Sequence, residues 1–349
     1  MGGTVVGVDI GDASIRAVEV QGHEGTKPSI VRFGQIALPD NAVRRGEVVE
    51  GATVATALRR LWSSGGFKSK NIVLGMGGTR VFARDFSVPR GSLSEIRGSL
   101  PFVVQDLLPI PVADALLDFY PIAEESGENG PMIAGLLVAG VQEAVTANVT
   151  ASLSAGLRPL HVDLIPFAVA RAIAPVRTAR GRDVMVDIGA SATNVVVVHN
   201  GVPHYVRIIP NGADDITRAI ASRLQWSPEQ AEQAKRAVGM GSAMLRQEDR
   251  PVLEIIYEAV GELLGSIRST LSYYATAKPA DPVQRILLSG GGARLSGLPN
   301  ALAELTGIPV TFAEPLATVS MSRAARNRTS REDQDAYTTA FGLALGSHA

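Results

Sequence analysis

Residues 6–20 read VGVDIGDASIRAVEV, and residues 184–198 read VMVDIGASATNVVVV. At an offset of 178, Val6/Val184, Val8/Val186, Asp9/Asp187, Ile10/Ile188, Gly11/Gly189, Val18/Val196 and Val20/Val198 coincide, seven identities in fifteen positions. In each copy a β-branched apolar run ends in Asp-Ile-Gly, a short turn of small residues follows, and a second apolar run begins. That pattern predicts a β-hairpin. One copy would be an ordinary hairpin with a glycine turn. Two copies half a chain apart predict two similar halves facing each other.

A third glycine turn reads Ile286-Leu-Leu-Ser-Gly290-Gly291-Gly292-Ala-Arg-Leu, with a helix predicted from near Pro299, where proline's missing N–H is not needed. Strand, glycine turn and helix in that order let backbone approach a ligand closely. Ser227-Pro228-Glu229-Gln230 predicts a capping box, and the helix it opens carries Glu232 and Lys235 three residues apart on one face. A longer helix is predicted from about Pro251 to Ala277, with Ile256, Val260, Leu263, Ile267, Leu271 and Tyr274 as its core stripe. Residues 86–155 interrupt the first half. They predict a helix capped by Ser92 and Glu95 and reaching about Leu108, and strands from Leu116 to Ile122 and Met132 to Val141. A polar turn from Glu124 to Pro131 and a helix from about Glu143 to Ala155 complete a small α+β module.

The chain of 349 residues suggests about two domains at roughly 150 residues each. Its 33 basic and 34 acidic side chains leave a formal charge of −1, which argues against broad nucleic-acid binding. The stretch Arg323, Arg326, Arg328, Arg331 runs into Glu332, Asp333 and Asp335 and reads as a solvated loop. With no cysteine, disulfides, thiol nucleophiles, thiolate zinc sites and iron–sulfur clusters are excluded. The longest apolar run, Met132 to Val141, is far short of the roughly 20 residues of a bilayer span, and no signal peptide is visible. These features predict a cytoplasmic chain without direct membrane insertion. The P-loop pattern GxxxxGK[ST], a GxGxxG at the first strand and a GxSxG elbow are all missing.

The three turns suit a nucleoside triphosphate with Mg²⁺. Glycine lets N–H groups approach phosphates, and Ser14 and Thr193 offer small hydroxyls. Asp9 and Asp187, each at a strand end, could hold a hydrated metal from opposite sides. Local turn capping is the plainer role for both aspartates.

The order of two Asp-Ile-Gly hairpins, a Ser-Gly-Gly-Gly-Ala turn and the terminal helix Ala340-Phe341-Gly342-Leu343-Ala344-Leu345-Gly346 resembles the actin-like ATPase superfamily. Ala231-Glu232-Gln-Ala-Lys235 resembles the adenosine-contacting helix of its bacterial members. Within the superfamily, three stretches resemble the PilM family of type IV pilus assembly proteins, in the FtsA/PilM group. They are Asp9-Ile-Gly-Asp12-Ala-Ser14-Ile-Arg16, Leu108-Pro109-Ile-Pro111 through Leu117-Asp118-Phe119, and Val162-Asp163 through Phe167-Ala-Val-Ala-Arg171.

The resemblance implies an α/β actin-like ATPase fold: two ribonuclease-H-like domains around a nucleotide cleft, with a small SHS2-type α+β insertion in the first. The first domain would take residues 1–85, 156–180 and 336–349, the insertion 86–155, and the second domain 181–335, with 206–275 its helical subdomain. Asp9, Gly11, Asp12, Ser14 and Arg16 would form the first phosphate loop, and Asp187, Gly189, Ser191 and Thr193 the second. Glu232, Lys235, Gly290, Gly291 and Gly292 would hold the adenosine. ATP and Mg²⁺ would be the cofactors, with Asp9 and Asp187 on the metal. The implied partner is the short cytoplasmic N-terminal peptide of PilN, a bitopic inner-membrane protein that would hold the chain at the inner face of the cytoplasmic membrane. A homodimer is left open, and no catalytic residue is assigned.

Two positions depart from the family pattern. Asp12 stands where Ser or Thr is usual, so its carboxylate should turn outward or help hold the metal rather than face phosphate. Ile165 falls where a Glu or Gln positions the attacking water, and losing such a group costs about 10²–10⁴-fold, so hydrolysis should be slow. Two other readings stand beside this one. An FtsA-like polymerising protein would carry a basic amphipathic tail, whereas this chain ends Gly346-Ser-His-Ala. A sugar or acyl kinase would need a base facing a second substrate, and none is evident.

Overall fold

The computed structural model describes residues 3–22, 27–128, 130–173, 181–241, 246–317, 319–326 and 334–346. β1 (Thr4–Ile10) and β2 (Ser14–Gln21) form the first hairpin, and β3 (Ser29–Ala37) adds a third antiparallel strand. A short hairpin of β4 (Val43–Arg44) and β5 (Glu47–Val48) leads into α1 (Gly51–Gly65), and β6 (Asn71–Met76) returns parallel to β1. Next, β7 (Val81–Pro89), α2 (Leu93–Val103), β8 (Ala115–Gly127) and β9 (Gly130–Val141) build a separate antiparallel sheet in the order β7-β9-β8. α3 (Gln142–Ser154) packs on α1 and delivers β10 (Arg158–Leu164) parallel to β6, and α4 (Ile165–Ile173) follows at once.

The second half repeats the plan. β11 (Arg182–Ile188), β12 (Thr193–His199) and β13 (Val202–Ile209) are antiparallel. α5 (Ala213–Leu224), α6 (Pro228–Val238) and α7 (Arg250–Ala277) precede β14 (Arg285–Ser289), which lies parallel to β11. α8 (Leu298–Thr306) and β15 (Val310–Phe312) follow, then β16 (Ser320–Met321), α9 (Arg323–Arg326) and α10 (Thr338–Leu345). The large sheets run β10-β6-β1-β2-β3-β16 and β13-β12-β11-β14-β15, so each extends three antiparallel strands with two parallel ones on one side, and the first sheet adds β16 parallel to β3 on the other.

Helices cover both faces of each sheet, which explains the nearly unbroken apolar strands. Val6, Val8 and Ile10 face α1, whereas Val5 faces α10. Val184, Val186 and Ile188 face α7, whereas Met185 faces α4. Each such Val or Ile contributes about 1.5–3 kcal/mol by leaving water. All six predicted stripe residues of α7 are buried.

The two halves exchange helices. α4 leaves the first sheet and packs Phe167, Val169 and Ile173 against Met185, Val196 and Leu287 of the second. α10 leaves the second and packs Phe341 and Leu343 against Val5, Val18 and Val73 of the first. Where they cross, a Cβ on Gly342 would lie 1.8 Å from the carbonyl oxygen of Ala168, and one on Gly7 would lie 1.9 Å from that of Ala340. The small residues of the terminal helix are required by this close approach.

The inserted segment differs in detail from its sequence reading. α2 ends at Val103 rather than about Leu108, and Gln105–Leu107 form a separate 3₁₀ turn. The region read as a turn from Glu124 to Pro131 is mostly ladder, with Ser126 opposite Pro131 and Gly127 opposite Gly130. The small sheet takes its first strand from Val81, and α3 packs on α1 rather than closing a separate module. In the basic stretch, Arg323 and Arg326 lie on α9, while Arg328, Arg331, Glu332 and Asp333 fall outside the described residues. Among the described residues, no helix is long and apolar enough to cross a membrane.

Candidate functional site

The Asp-Ile-Gly repeat folds the same way twice. Gly11 N–H donates to the Ser14 carbonyl at 3.1 Å, and Gly189 N–H donates to the Ala192 carbonyl at 2.9 Å. The two turns face each other across a cleft. Asp9, Gly11, Asp12, Ser14 and Arg16 line one side, and Asp187, Gly189, Ser191 and Asn194 the other, with Gly290 and Gly291 beside them. The cleft holds about 130 Å³. Small-molecule sites usually hold about 300–1,000 Å³, so a nucleoside triphosphate requires the halves to part.

Burial pushes the Asp9 carboxyl up from the ordinary carboxylate range to about 6; Arg16 opposes this, while Asp187 and Asp12 add to it. Burial also pushes Asp187 up, opposed by the side chains of Asn194 and Ser289 and by Arg16. Asn194 Nδ2 donates to Asp187 Oδ2 at 3.1 Å. Three buried polar atoms beside these carboxylates, Asn194 Oδ1, Arg16 Nε and Ser289 Oγ, have no hydrogen-bond partner among the described residues. An unmet acceptor and an unmet donor beside two strained carboxylates suit a ligand bearing both metal and phosphate. No cluster of three or more His, Cys, Asp or Glu among the described residues is placed to hold a metal. Mg²⁺, which takes one or two carboxylates and keeps waters and phosphate oxygens, fits Asp9 and Asp187.

Several predicted residues stand elsewhere. Thr193 is fully buried and its hydroxyl donates to the Asn211 carbonyl at 2.8 Å, so Ser191 presents the hydroxyl of the second turn to the cleft. Asp12 lies at the cleft edge, but its oxygens accept from Arg45 N–H and Gly46 N–H, each at 2.8 Å. It therefore turns outward, onto the β4–β5 hairpin. Gly290 has φ +84 and its Cβ would lie 2.3 Å from the Ile188 carbonyl oxygen, so only glycine brings the third turn against the second. Gly292 packs on Ile188 and Ala213 rather than lining the cleft.

Glu232 and Lys235 form an ion pair at 2.6 Å. Lys235 is buried and donates to the Ala213 carbonyl and the Thr217 hydroxyl, which ties α6 to the start of α5 behind the glycine turn. Neither residue lines the cleft. Ile165, the first residue of α4, does line it, and a Cβ on Gly77 would lie 2.9 Å from its Cδ1. Asp335 also lines it; far from a solvated loop, it is buried and ion-paired with Arg294. Asn194 is the residue that sequence reasoning missed. Its signal was present, since the offset of 178 carries Arg16 onto Asn194, the cross-strand partner of Asp187.

A second concavity of about 1050 Å³ lies between α1, α3 and residues 110–114. Ala52, Thr56, Thr146 and Thr150 floor it, Ile110 and Pro111 edge it, and Arg59, Arg80, Asp114 and Glu143 stand around it. No motif in the sequence pointed to this groove.

A family model described as type IV pilus assembly protein PilM matches residues 7–348. The chain is 22% identical over 378 residues to the cell division protein FtsA of Neisseria meningitidis serogroup B, covering 96% of this chain and 88% of that one. Over 203 residues it is 29% identical to the cell shape-determining protein MreB of Haemophilus influenzae, covering 48% of this chain and 57% of that one. A solved PilM–PilN type IV pilus biogenesis complex superposes with a TM-score of 0.85 at 24% identity, over 99% of this chain and 98% of that one. MreB 5 of Spiroplasma citri bound to AMPPNP gives a TM-score of 0.56 at 10% identity, over 97% and 94%. The fold is that of the actin-like ATPases.

Proposed function

The chain belongs to the type IV pilus assembly protein PilM family, and on that premise we propose that it is a nucleotide-loaded adaptor of the pilus machinery. In this reading it binds ATP with Mg²⁺ in the cleft and holds the cytoplasmic N-terminal peptide of a PilN-like inner-membrane protein. The observation that carries the nucleotide half is the pair of matched turns whose carboxylates, Asp9 and Asp187, sit beside an unmet amide oxygen and an unmet guanidinium N–H. Asp9 and Asp187 would hold hydrated Mg²⁺, which supplies charge neutralisation at the phosphates. Arg16, Ser14 and Ser191 would meet phosphate oxygens, and Gly290 and Gly291 would let the backbone approach the nucleoside. Glu232 and Lys235 would support that turn from behind.

Ile165 gives the cleft an apolar surface at the position where the resemblance to actin-like ATPases puts the water-positioning residue. Hydrolysis is accordingly slow, and nucleotide occupancy rather than turnover is the signal. The likeness to the PilM–PilN complex supports a PilN-like partner. The groove beside α1 has the size and the small-residue floor to take an extended peptide. Held there, the protein would sit at the inner face of the cytoplasmic membrane. Arg45 and Gly46 line the cleft while Val48 and Val49 line the groove, so the β4–β5 hairpin joins the two sites.

Two calorimetric titrations test this. Mg²⁺-ATP should bind the wild type but not Asp187→Ala, with little ADP in the recovered samples; no binding to the wild type would refute the nucleotide half. A synthetic N-terminal peptide of the PilN-like partner should bind the wild type and lose affinity in Thr150→Trp, which fills the groove from an exposed position. Unchanged affinity would place the peptide elsewhere.

A further inference from the structure

Resting on the nucleotide reading, we infer that Arg45 senses the terminal phosphate of the bound nucleotide by exchanging the Pro210 carbonyl for a phosphate oxygen. The β4–β5 hairpin pairs Val43 with Val48 and Arg44 with Glu47, leaving Arg45-Gly46 as a two-residue turn. Both central residues have positive φ, 52 for Arg45 and 79 for Gly46, as a type I′ turn requires. The first position of such a turn favours Asn, Asp or Gly, because an arginine there strains its backbone. Arginine at this position is therefore unfavourable for the turn itself, which points to a use for its side chain.

The surroundings hold the turn in that strained form. Asp12 accepts both its N–H groups at 2.8 Å. A Cβ on Gly78 would lie 2.3 Å from the Arg45 carbonyl oxygen, so the backbone on that side is packed to contact. This accounts for the carboxylate at Asp12: it anchors the hairpin to the first phosphate turn instead of meeting phosphate. From this anchor the Arg45 guanidinium crosses the cleft to the Pro210 carbonyl at 3.3 Å. Pro210 leads into Gly212 and α5, and the α5 start is bonded to the second turn through Ala213 N–H to Gly189 and Asp214 N–H to Ala190. Arg45 thus bridges the two phosphate turns at the rim, where the far end of a triphosphate would emerge.

A neutral carbonyl is a weak partner for a guanidinium, and a phosphate oxygen is a strong one. A triphosphate reaches the bridge and takes Arg45 over, whereas a diphosphate leaves it on Pro210.

The test is calorimetric titration of Mg²⁺-ATP and Mg²⁺-ADP into the wild type, Arg45→Ala and Arg45→Asn, with a melting curve for each. Arg45→Asn suits the positive φ, so its Tm should match or exceed that of the wild type. Both variants should lose about tenfold or more in ATP affinity, the scale of one charge-assisted hydrogen bond, and less than about twofold in ADP affinity. Equal losses for the two nucleotides, or no loss for either, would overturn the inference while leaving the nucleotide site standing. A wild type that binds neither nucleotide would overturn the reading of the cleft, and this inference with it.

Discussion

The two Asp-Ile-Gly hairpins share a backbone and differ in what stands across from the aspartate. In the first, Asp9 lies in register with Arg16; in the second, Asp187 lies in register with Asn194. Burial raises the proton affinity of both acids, yet the partners answer differently. Arg16 supplies a charge that opposes the upward shift of both aspartates. Asn194 supplies one N–H to Asp187 and keeps its oxygen free. The duplication built a symmetric frame, and the substitution across the strand placed a cation beside one aspartate and an amide beside the other.

The largest effect that would break this comparison is Asp187→Ala. It removes the acceptor of Asn194 together with the proposed metal ligand, and Mg²⁺-ATP affinity should fall beyond about 100-fold by calorimetry. Retained binding would mean the second hairpin is not a metal side.

Asp9 gives the next largest effect, and its sign is testable. Its folded pKa of about 6 lies above the usual 3.8, so the native state binds the extra proton between those values. Stability of the ligand-free protein should therefore fall as pH rises from about 4 through about 6, by up to about 3 kcal/mol. Asp9→Asn should flatten that dependence and raise the denaturation midpoint at pH 7. The same variant should bind Mg²⁺-ATP more weakly, and wild-type affinity should rise across the same pH window. A variant less stable than wild type at pH 7 would contradict the strained-carboxylate account.

Ile165→Gln places a water-orienting amide between the hairpins, and ADP formation should rise about tenfold or more with little change in ATP affinity. Unchanged turnover would mean Ile165 is not where the water is held. The smallest effect sharpens the asymmetry itself. Asn194→Leu should raise the Mg²⁺ concentration needed for half-maximal ATP binding by roughly three- to tenfold, the scale of one lost hydrogen bond, while leaving Mg²⁺-free nucleotide binding alone. An equal loss with and without Mg²⁺ would remove the distinction between the two sides.

Much of this was legible before any coordinates. The hairpins, the third glycine turn, the capping box at Ser227 and the stripe of α7 all lie where the sequence places them. So do Asp9, Asp187, Ser14, Arg16, Ser191 and the neighbouring glycines of the cleft. Thr193 was misplaced because a residue next to a turn shows its type but not its direction; as the first residue of β12 it points to Asn211. Asn194 was overlooked because an amide in a valine-rich strand carries no motif, although the strand register singles it out. The groove beside α1 was invisible because its walls come from three separated segments of small residues.

The chain's own pattern settled the elements and their duplication, because strand periodicity, glycine turns and helix caps depend on residues a few positions apart. The tertiary structure decided the destinations of side chains. Asp12 meets a turn 33 and 34 positions away, Arg45 meets a carbonyl 165 positions away, and Arg171 on α4 meets the Gly342 carbonyl of α10 171 positions away. The last two pairings exist only once two sheets and two exchanged helices have closed on each other, and no local propensity encodes a partner that packing brings from the far half of the chain.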